Sequence, residues 1–149
     1  MGRPVSPLPI HLEENKKVQL TSFKGKVVLF AIFATSCDHC IASMELLNRL
    51  QKQYGPAGFQ AVAAIGDEKA PYLLVPFKQR YKPGYPMGYL DKEEMQKIGD
   101  IPPEVRPFVP IYMFIDRKGT VKYEFLGDSP FFKDEERTTH LMIQGLLKM

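Results

Sequence analysis

The chain has 149 residues, of which 44% are hydrophobic and 25% charged, a balance typical of a globular protein with one core. Its formal net charge is +3, and lysine and arginine are interspersed with acidic residues, which argues against a nucleic-acid-binding protein. The longest apolar run, residues 27–34, is too short to cross a bilayer. We predict one domain over residues 1–149, with a flexible N-terminal segment at 1–8.

The first predicted elements are a β-hairpin and a buried strand. Residues 10–12 and 18–20 are short strand candidates on either side of the polar turn 13–16. Residues 27–33 are aliphatic, aromatic or β-branched without alternation, which is typical of a strand buried on both faces. Such a strand is expected in the middle of an α/β sheet.

Helical and strand patterns alternate along the rest of the chain. From Asp38 to Tyr54 apolar residues recur at three- or four-residue steps, and Gly55 ends the pattern. The following elements are predicted in chain order: a strand at 59–65, a helix at 71–81 with a kink or break at Pro76, a strand at 86–90, a helix at 92–98, a proline-rich loop at 100–110, strands at 111–115 and 121–126, and a helix at 134–148 with acidic residues in its first turn. This order predicts an α/β fold: a central mixed β-sheet with helices on both faces, the N-terminal β-hairpin, and the strand 121–126 at the sheet edge.

The only two cysteines, Cys37 and Cys40, lie where the buried strand gives way to the helix. A helix N-terminus presents unpaired N–H groups and the positive end of the dipole, which favour thiolate over thiol at Cys37. Cys40 lies one turn further on the same face, so it is close enough for a disulfide and more shielded. We predict that Cys37 attacks a substrate disulfide and Cys40 resolves the mixed disulfide. The Cys37–Cys40 pair itself carries the two electrons as it changes between dithiol and disulfide, so no cofactor is needed.

The two residues between the cysteines are predicted to tune the pair. A protonated His39 would stabilise the thiolate and make the pair more oxidising. Asp38 would act in the opposite sense on charge grounds, or would cap the helix.

Metal binding and an inert core pair are the other interpretations of the two cysteines. A structural zinc site needs about four ligands, and this spacing supplies two. His11 and His140 lie far off in the sequence, with no second ligand pair, so no metal site is predicted. A CxxC motif in a βαβ setting is a redox signature, and we rank that interpretation first.

Three segments resemble the thioredoxin-like superfamily, and most closely its TlpA/ResA branch of thiol-disulfide oxidoreductases. GKVVLFAIFATSCDHC (25–40) is similar to the first core strand and redox helix of that family, FQAVAAIGDE (59–68) to its next strand, and VPIYMFIDRKGTVKYEFLG (109–127) to its closing hairpin. The resemblance implies a thioredoxin fold and a cis peptide bond at Val109–Pro110 that faces the dithiol. It also implies that the Val109 backbone pairs with an extended substrate segment.

The resemblance carries further expectations about partners and location. It implies cysteine-containing protein clients and a redox partner protein. It also implies a periplasmic or extracytoplasmic location, with a membrane tether in a longer form of the protein. The first residues, MGRPVSPLPI, contain no signal core, so a cytoplasmic location and a signal or anchor upstream of this sequence both stay open.

Two positions depart from the pattern of the family. Ser36 stands where family members usually carry Trp before the first cysteine. Ala31 stands where thioredoxin has a buried Asp that assists the resolving cysteine, and Glu68 or a water is the suggested substitute. These departures leave the direction of electron flow open.

Two other functions remain as alternatives. Peroxiredoxins resemble this fold and place a Thr three residues before their reactive cysteine, whereas Thr35 here precedes Cys37 by two. A copper-handling thioredoxin-like protein uses two cysteines and a distant histidine, for which His140 is the candidate, and soft thiolates favour Cu(I). Such proteins usually space their cysteines CxxxC. Peroxide-dependent turnover would favour the first alternative, and stoichiometric Cu(I) binding the second.

Overall fold

A mixed β-sheet runs through the molecule, which a computed structural model describes over residues 2–149. In this part of the chain the strands are β1 (Arg3–Pro4), β2 (Pro9–His11), β3 (Lys17–Gln19), β4 (Val27–Phe33), β5 (Phe59–Ile65), β6 (Met87–Tyr89), β7 (Ile111–Ile115) and β8 (Thr120–Phe125). The α-helices are α1 (Asp38–Tyr54), α2 (Ala70–Tyr81), α3 (Lys92–Ile98) and α4 (Glu135–Leu147). None of these helices is long and apolar enough to cross a membrane.

The strand order is β1-β8-β7-β4-β5-β6-β2-β3. β4 is parallel to β5 and antiparallel to β7, so the predicted mixed sheet is confirmed. The predicted N-terminal hairpin is also confirmed, since β2 and β3 pair antiparallel across a short 3-10 turn. β4 lies in the middle of the sheet, with all seven of its residues buried. This central position is what its unbroken apolar sequence predicts.

Alternate side chains of β4 pack into two separate hydrophobic cores, one on each face of the sheet. Leu29 and Phe33 point into a core that includes side chains of α1, α2 and α4. Phe30 and Ile32 point into a second core, which Ile98 of α3 shares with apolar residues near the N-terminus. Helices therefore cover both faces of the sheet, as predicted.

The N-terminal segment is where the structure differs most from the sequence-based expectation. The sequence predicts β8 at the sheet edge, whereas β1 pairs antiparallel with the outer side of β8. The flexibility predicted for residues 1–8 stays a prediction. Val5 is only 6% exposed, and Arg3 forms a salt bridge with Glu124 on β8. The prediction that β8 is the edge strand is therefore wrong, because a two-residue strand carries too little pattern to be recognised. Met1 lies outside the described residues.

Two helix predictions need small corrections. α2 runs through Pro76 without the break that a proline inside a helix can cause. α4 begins at Glu135, because residues Pro130–Asp134 form a 3-10 turn that precedes it. The proline-rich segment 100–110 contains neither helix nor strand, as predicted.

Candidate active site

The two cysteines lie at the end of the central strand, where the chain turns into α1. Cys37 is the N-cap residue of this helix, with an extended backbone, and its Sγ accepts a hydrogen bond from the Cys40 N–H at 3.1 Å. The sulfur thus takes the place of the side-chain oxygen that usually caps a helix. Asp38 is the first residue of the helix and is exposed, so the suggestion that it caps α1 is wrong.

The environments of the two thiols differ strongly. Both cysteines are free, and Cys37 is partly exposed whereas Cys40 is fully buried. Burial raises the pKa of the Cys40 thiol, and the hydrogen bond with Cys37 adds to that effect. Cys40 is therefore a protonated, shielded thiol beside a more accessible one. This is the arrangement expected of a resolving cysteine next to an attacking one.

A carboxylate after β5 supports the turn that leads to the cysteines. The Thr35 backbone N–H donates to Asp67 Oδ1 at 3.0 Å, and Thr35 Oγ1 donates to Asp67 Oδ2 at 2.7 Å. The charge of Asp67 also contributes to the raised pKa of Cys40. Of the two acidic residues after β5, Asp67 therefore acts on the dithiol region, whereas Glu68, the substitute suggested from the sequence, is exposed. The sequence signal was available, because the carboxyl ends of the parallel strands β4 and β5 meet at one sheet edge.

His39 lies in the first turn of α1, with its side chain 42% exposed. Its Nε2 lies 2.7 Å from Glu135 Oε1, and its ring meets Phe132 edge-on with centroids 5.4 Å apart. Among the hydrogen bonds of residues 2–149, none joins His39 to Cys37. The imidazole that was expected to act on the sulfur is thus held by a carboxylate of α4.

Glu135 connects three elements near the dithiol and was not singled out from the sequence. Its Oε2 accepts a hydrogen bond from Ser43 Oγ at 2.6 Å and another from Tyr112 OH at 2.5 Å. Burial and the nearby Glu135 charge raise the pKa of Tyr112 well above its ordinary value, so this phenol stays a donor. The only sequence signal was an acidic residue in a first helical turn, which is usually a solvated group.

The Val109–Pro110 peptide bond is cis, as the family resemblance implies. Ile111 pairs with Ile32 near the end of β4, so Pro110 lies at the sheet end from which the Cys37 turn emerges. Gly127 packs against the backbone just before Pro110, since its N–H donates to the Phe108 carbonyl at 2.7 Å. A Cβ at Gly127 would lie 2.5 Å from the Val109 carbonyl oxygen, so only glycine fits this approach.

The remaining histidines lie away from the cysteines. His140 Nδ1 is 2.7 Å from the OH of Tyr54, the last residue of α1, and the helix separates Tyr54 from Cys37 by about 26 Å. His11 lies 2.7 Å from Glu94 and stacks on Tyr89. The two cysteines and His140 therefore do not converge, and the described residues contain no cluster of three or more potential metal ligands.

The class of the protein follows from these features taken together. A central β4 with a CxxC pair at the start of the next helix, and a cis-proline at the same end of an antiparallel neighbour, define a thioredoxin-like protein with a dithiol centre. The redoxin family model matches residues 4–139. The chain belongs to the redoxin family, and the superfamily recognised from the sequence is confirmed.

A known relative agrees with this assignment, and solved structures share the fold. The chain is 31% identical over 117 residues to the thiol-disulfide oxidoreductase ResA of Bacillus thuringiensis subsp. konkukian, a match that covers 77% of this chain and 63% of that protein. A candidate thiol:disulfide interchange protein DsbE from Chlorobium tepidum superposes with a TM-score of 0.82 at 22% identity, over 98% of this chain and 96% of that one. A DsbF homologue from Corynebacterium diphtheriae gives a TM-score of 0.78 at 17% identity, over 97% and 87% of the two chains. These structures confirm the predicted fold.

Proposed function

We propose that this chain is a thiol-disulfide oxidoreductase that exchanges disulfides with cysteine-containing protein clients. The observation that carries the proposal is the asymmetry of the pair, in which a partly exposed Cys37 caps α1 and a buried Cys40 donates its N–H to the Cys37 sulfur. The match to ResA supports the same activity, although the chain spans only 63% of the length of that relative.

In the first step, the Cys37 thiolate attacks one sulfur of a client disulfide. A Cys37–client disulfide forms, the client S–S bond breaks, and the other client sulfur leaves as a thiolate. This attack uses up the negative charge on Cys37, so the charge no longer opposes ionisation of Cys40.

In the second step, Cys40 attacks the Cys37 sulfur and releases the remaining client thiol. The proton of Cys40 ends on a departing client sulfur. The dithiol is oxidised to the Cys37–Cys40 disulfide while the client gains two electrons. The same steps in reverse oxidise a client, and a redox partner protein resets the pair in either direction.

The surrounding residues take supporting roles in this proposal. We assign client binding to the Val109 backbone and Pro110, where an extended client segment would pair in the manner of an added strand. Asp38 and His39 tune the thiolate. We also propose a periplasmic or extracytoplasmic location, which the resemblance to the ResA branch supports.

Single-cysteine variants test the order of attack. In Cys40→Ser the first step proceeds and the second cannot, so a cysteine-bearing peptide disulfide should accumulate as a covalent adduct on Cys37, visible as added mass. Serine differs from cysteine by one atom, so the buried site should tolerate it. Cys37→Ser is the matched control and should accumulate little adduct, because Cys40 is buried. Equal trapping by both variants, or none by Cys40→Ser, would refute the assigned roles.

A further inference from the structure

The carboxylate of Glu135 is the meeting point of α1, β7 and α4 at the dithiol end of the fold. One oxygen faces His39, and the other accepts the hydroxyl groups of Ser43 and Tyr112. The Glu135 side chain is only 12% exposed. Three donors and the positive end of the α4 dipole offset the loss of hydration of the charge. Three hydrogen-bonding partners hold this largely buried carboxylate in place.

This carboxylate lies where it can offset the positive charge that a protonated His39 brings near Cys37. An ionised carboxylate can only accept hydrogen bonds, so the Nε2 that faces it carries a proton. When the imidazole is charged, it and Glu135 form a nearly neutral pair. Without Glu135, a protonated imidazole at this position would be an uncompensated cation two residues after the attacking cysteine.

We propose that Glu135 is a positioning residue of the redox centre, which holds His39 and offsets its charge so that the Cys37–Cys40 pair stays less oxidising. This inference rests on the proposed disulfide exchange. Other titratable groups near the dithiol or in contact with Glu135 include Asp38 on α1, Asp67 after β5 and Tyr112 on β7, and they are the same in every variant considered below. A change in the thiolate on substitution of Glu135 therefore reports on the Glu135–His39 pair.

The proposal predicts opposite effects for the two partners. Glu135→Gln removes a negative charge and leaves His39 without its counter-ion, so the Cys37 thiolate should become more populated. His39→Gln leaves the Glu135 carboxylate uncompensated, so the thiolate should become less populated. In the double variant both charges are gone, and the two effects should largely cancel. If Glu135 only stabilised the fold, the two variants would not change the Cys37 thiolate population in opposite directions.

The experiment measures two quantities near neutral pH for the wild type and these three variants. The first is the rate of Cys37 alkylation by iodoacetamide, which follows the thiolate fraction. The second is the equilibrium constant of the disulfide with glutathione. We expect Glu135→Gln to shift the equilibrium toward the dithiol by about threefold to tenfold, the scale of one charge at short range. The opposite shift is expected in His39→Gln.

Glu136→Gln is the matched control, because Glu136 is the next residue of α4 and its exposed carboxylate pairs with Arg49. It should leave both quantities unchanged. If Glu135→Gln behaves like Glu136→Gln, or if His39→Gln shifts the equilibrium in the same direction as Glu135→Gln, the proposal is wrong. Should Glu135→Gln fail to fold, Ser43→Ala provides the test, because it removes one donor to the Glu135 carboxylate and leaves His39 in place. The less compensated carboxylate should then make the Cys37 thiolate less populated, and an unchanged equilibrium would overturn the proposal.

The two proposals fail in different ways. Absence of a reversible Cys37–Cys40 disulfide in the wild type would overturn the proposed function itself. A reversible disulfide whose equilibrium with glutathione is the same in the wild type and in Glu135→Gln would overturn only the positioning role.

Discussion

The two ends of α1 are tied to α4 by similar contacts that have different consequences. At the N-terminal end His39 faces Glu135, and at the C-terminal end Tyr54 faces His140 and also receives a hydrogen bond from Gln144. Each tie joins a histidine to an oxygen 2.7 Å away across the same pair of helices. Only the first lies beside a cysteine. In the proposed account, His39 affects the redox chemistry because it lies near the dithiol, and not because of the type of contact it makes.

The largest difference between the two ends is expected from removal of a buried hydroxyl at the redox end. Tyr112→Phe deletes a donor to Glu135 from a fully buried side chain. We expect a loss of about 1–3 kcal/mol in the free energy of unfolding. The Glu135 charge would also be less well compensated, so the Cys37 thiolate should become less populated. Chemical denaturation and the glutathione equilibrium measure the two effects. A stability loss with no change in the equilibrium would separate Tyr112 from the redox centre.

A smaller effect, limited to stability, is expected at the other end. Tyr54→Phe removes the hydroxyl that bonds His140 and Gln144, and we expect a loss of about 1 kcal/mol in the free energy of unfolding. The glutathione equilibrium should match that of the wild type, because Tyr54 lies about 26 Å along the helix from Cys37. A clear shift in that equilibrium would show that the two ends of α1 are coupled, which would break the comparison.

Much of the fold could be predicted from the sequence, because its central elements carry strong periodic patterns. The bounds predicted for the strand at 27–33, the helix at 38–54 and the strand at 59–65 agree with β4, α1 and β5. An uninterrupted apolar run and a regular helical stripe are long enough to have one interpretation. β1 was missed, since two residues form no pattern.

The candidate site divides in the same way between local and long-range features. The positions of Cys37 and Cys40 follow from a motif four residues long, and local sequence was enough to find them. Asp67 and Glu135 are separated from the motif by many residues, and their partners depend on strand register and on the way α4 packs against α1. The predicted effect of His39 on the thiolate left out the Glu135 counter-ion, because the packing of α4 against α1 could not be predicted from the sequence. Long-range hydrogen bonds leave no periodic signal in one sequence.

The measurement that tests the central claim most directly is the equilibrium of the reduced protein with glutathione redox buffers. The oxidised fraction would be read by mass after the free thiols are alkylated. Reversible two-electron oxidation of Cys37 and Cys40, with a potential between about −270 mV for thioredoxin and about −120 mV for DsbA, is the predicted result. The account would be contradicted if the two cysteines formed no reversible disulfide at any ratio of reduced to oxidised glutathione.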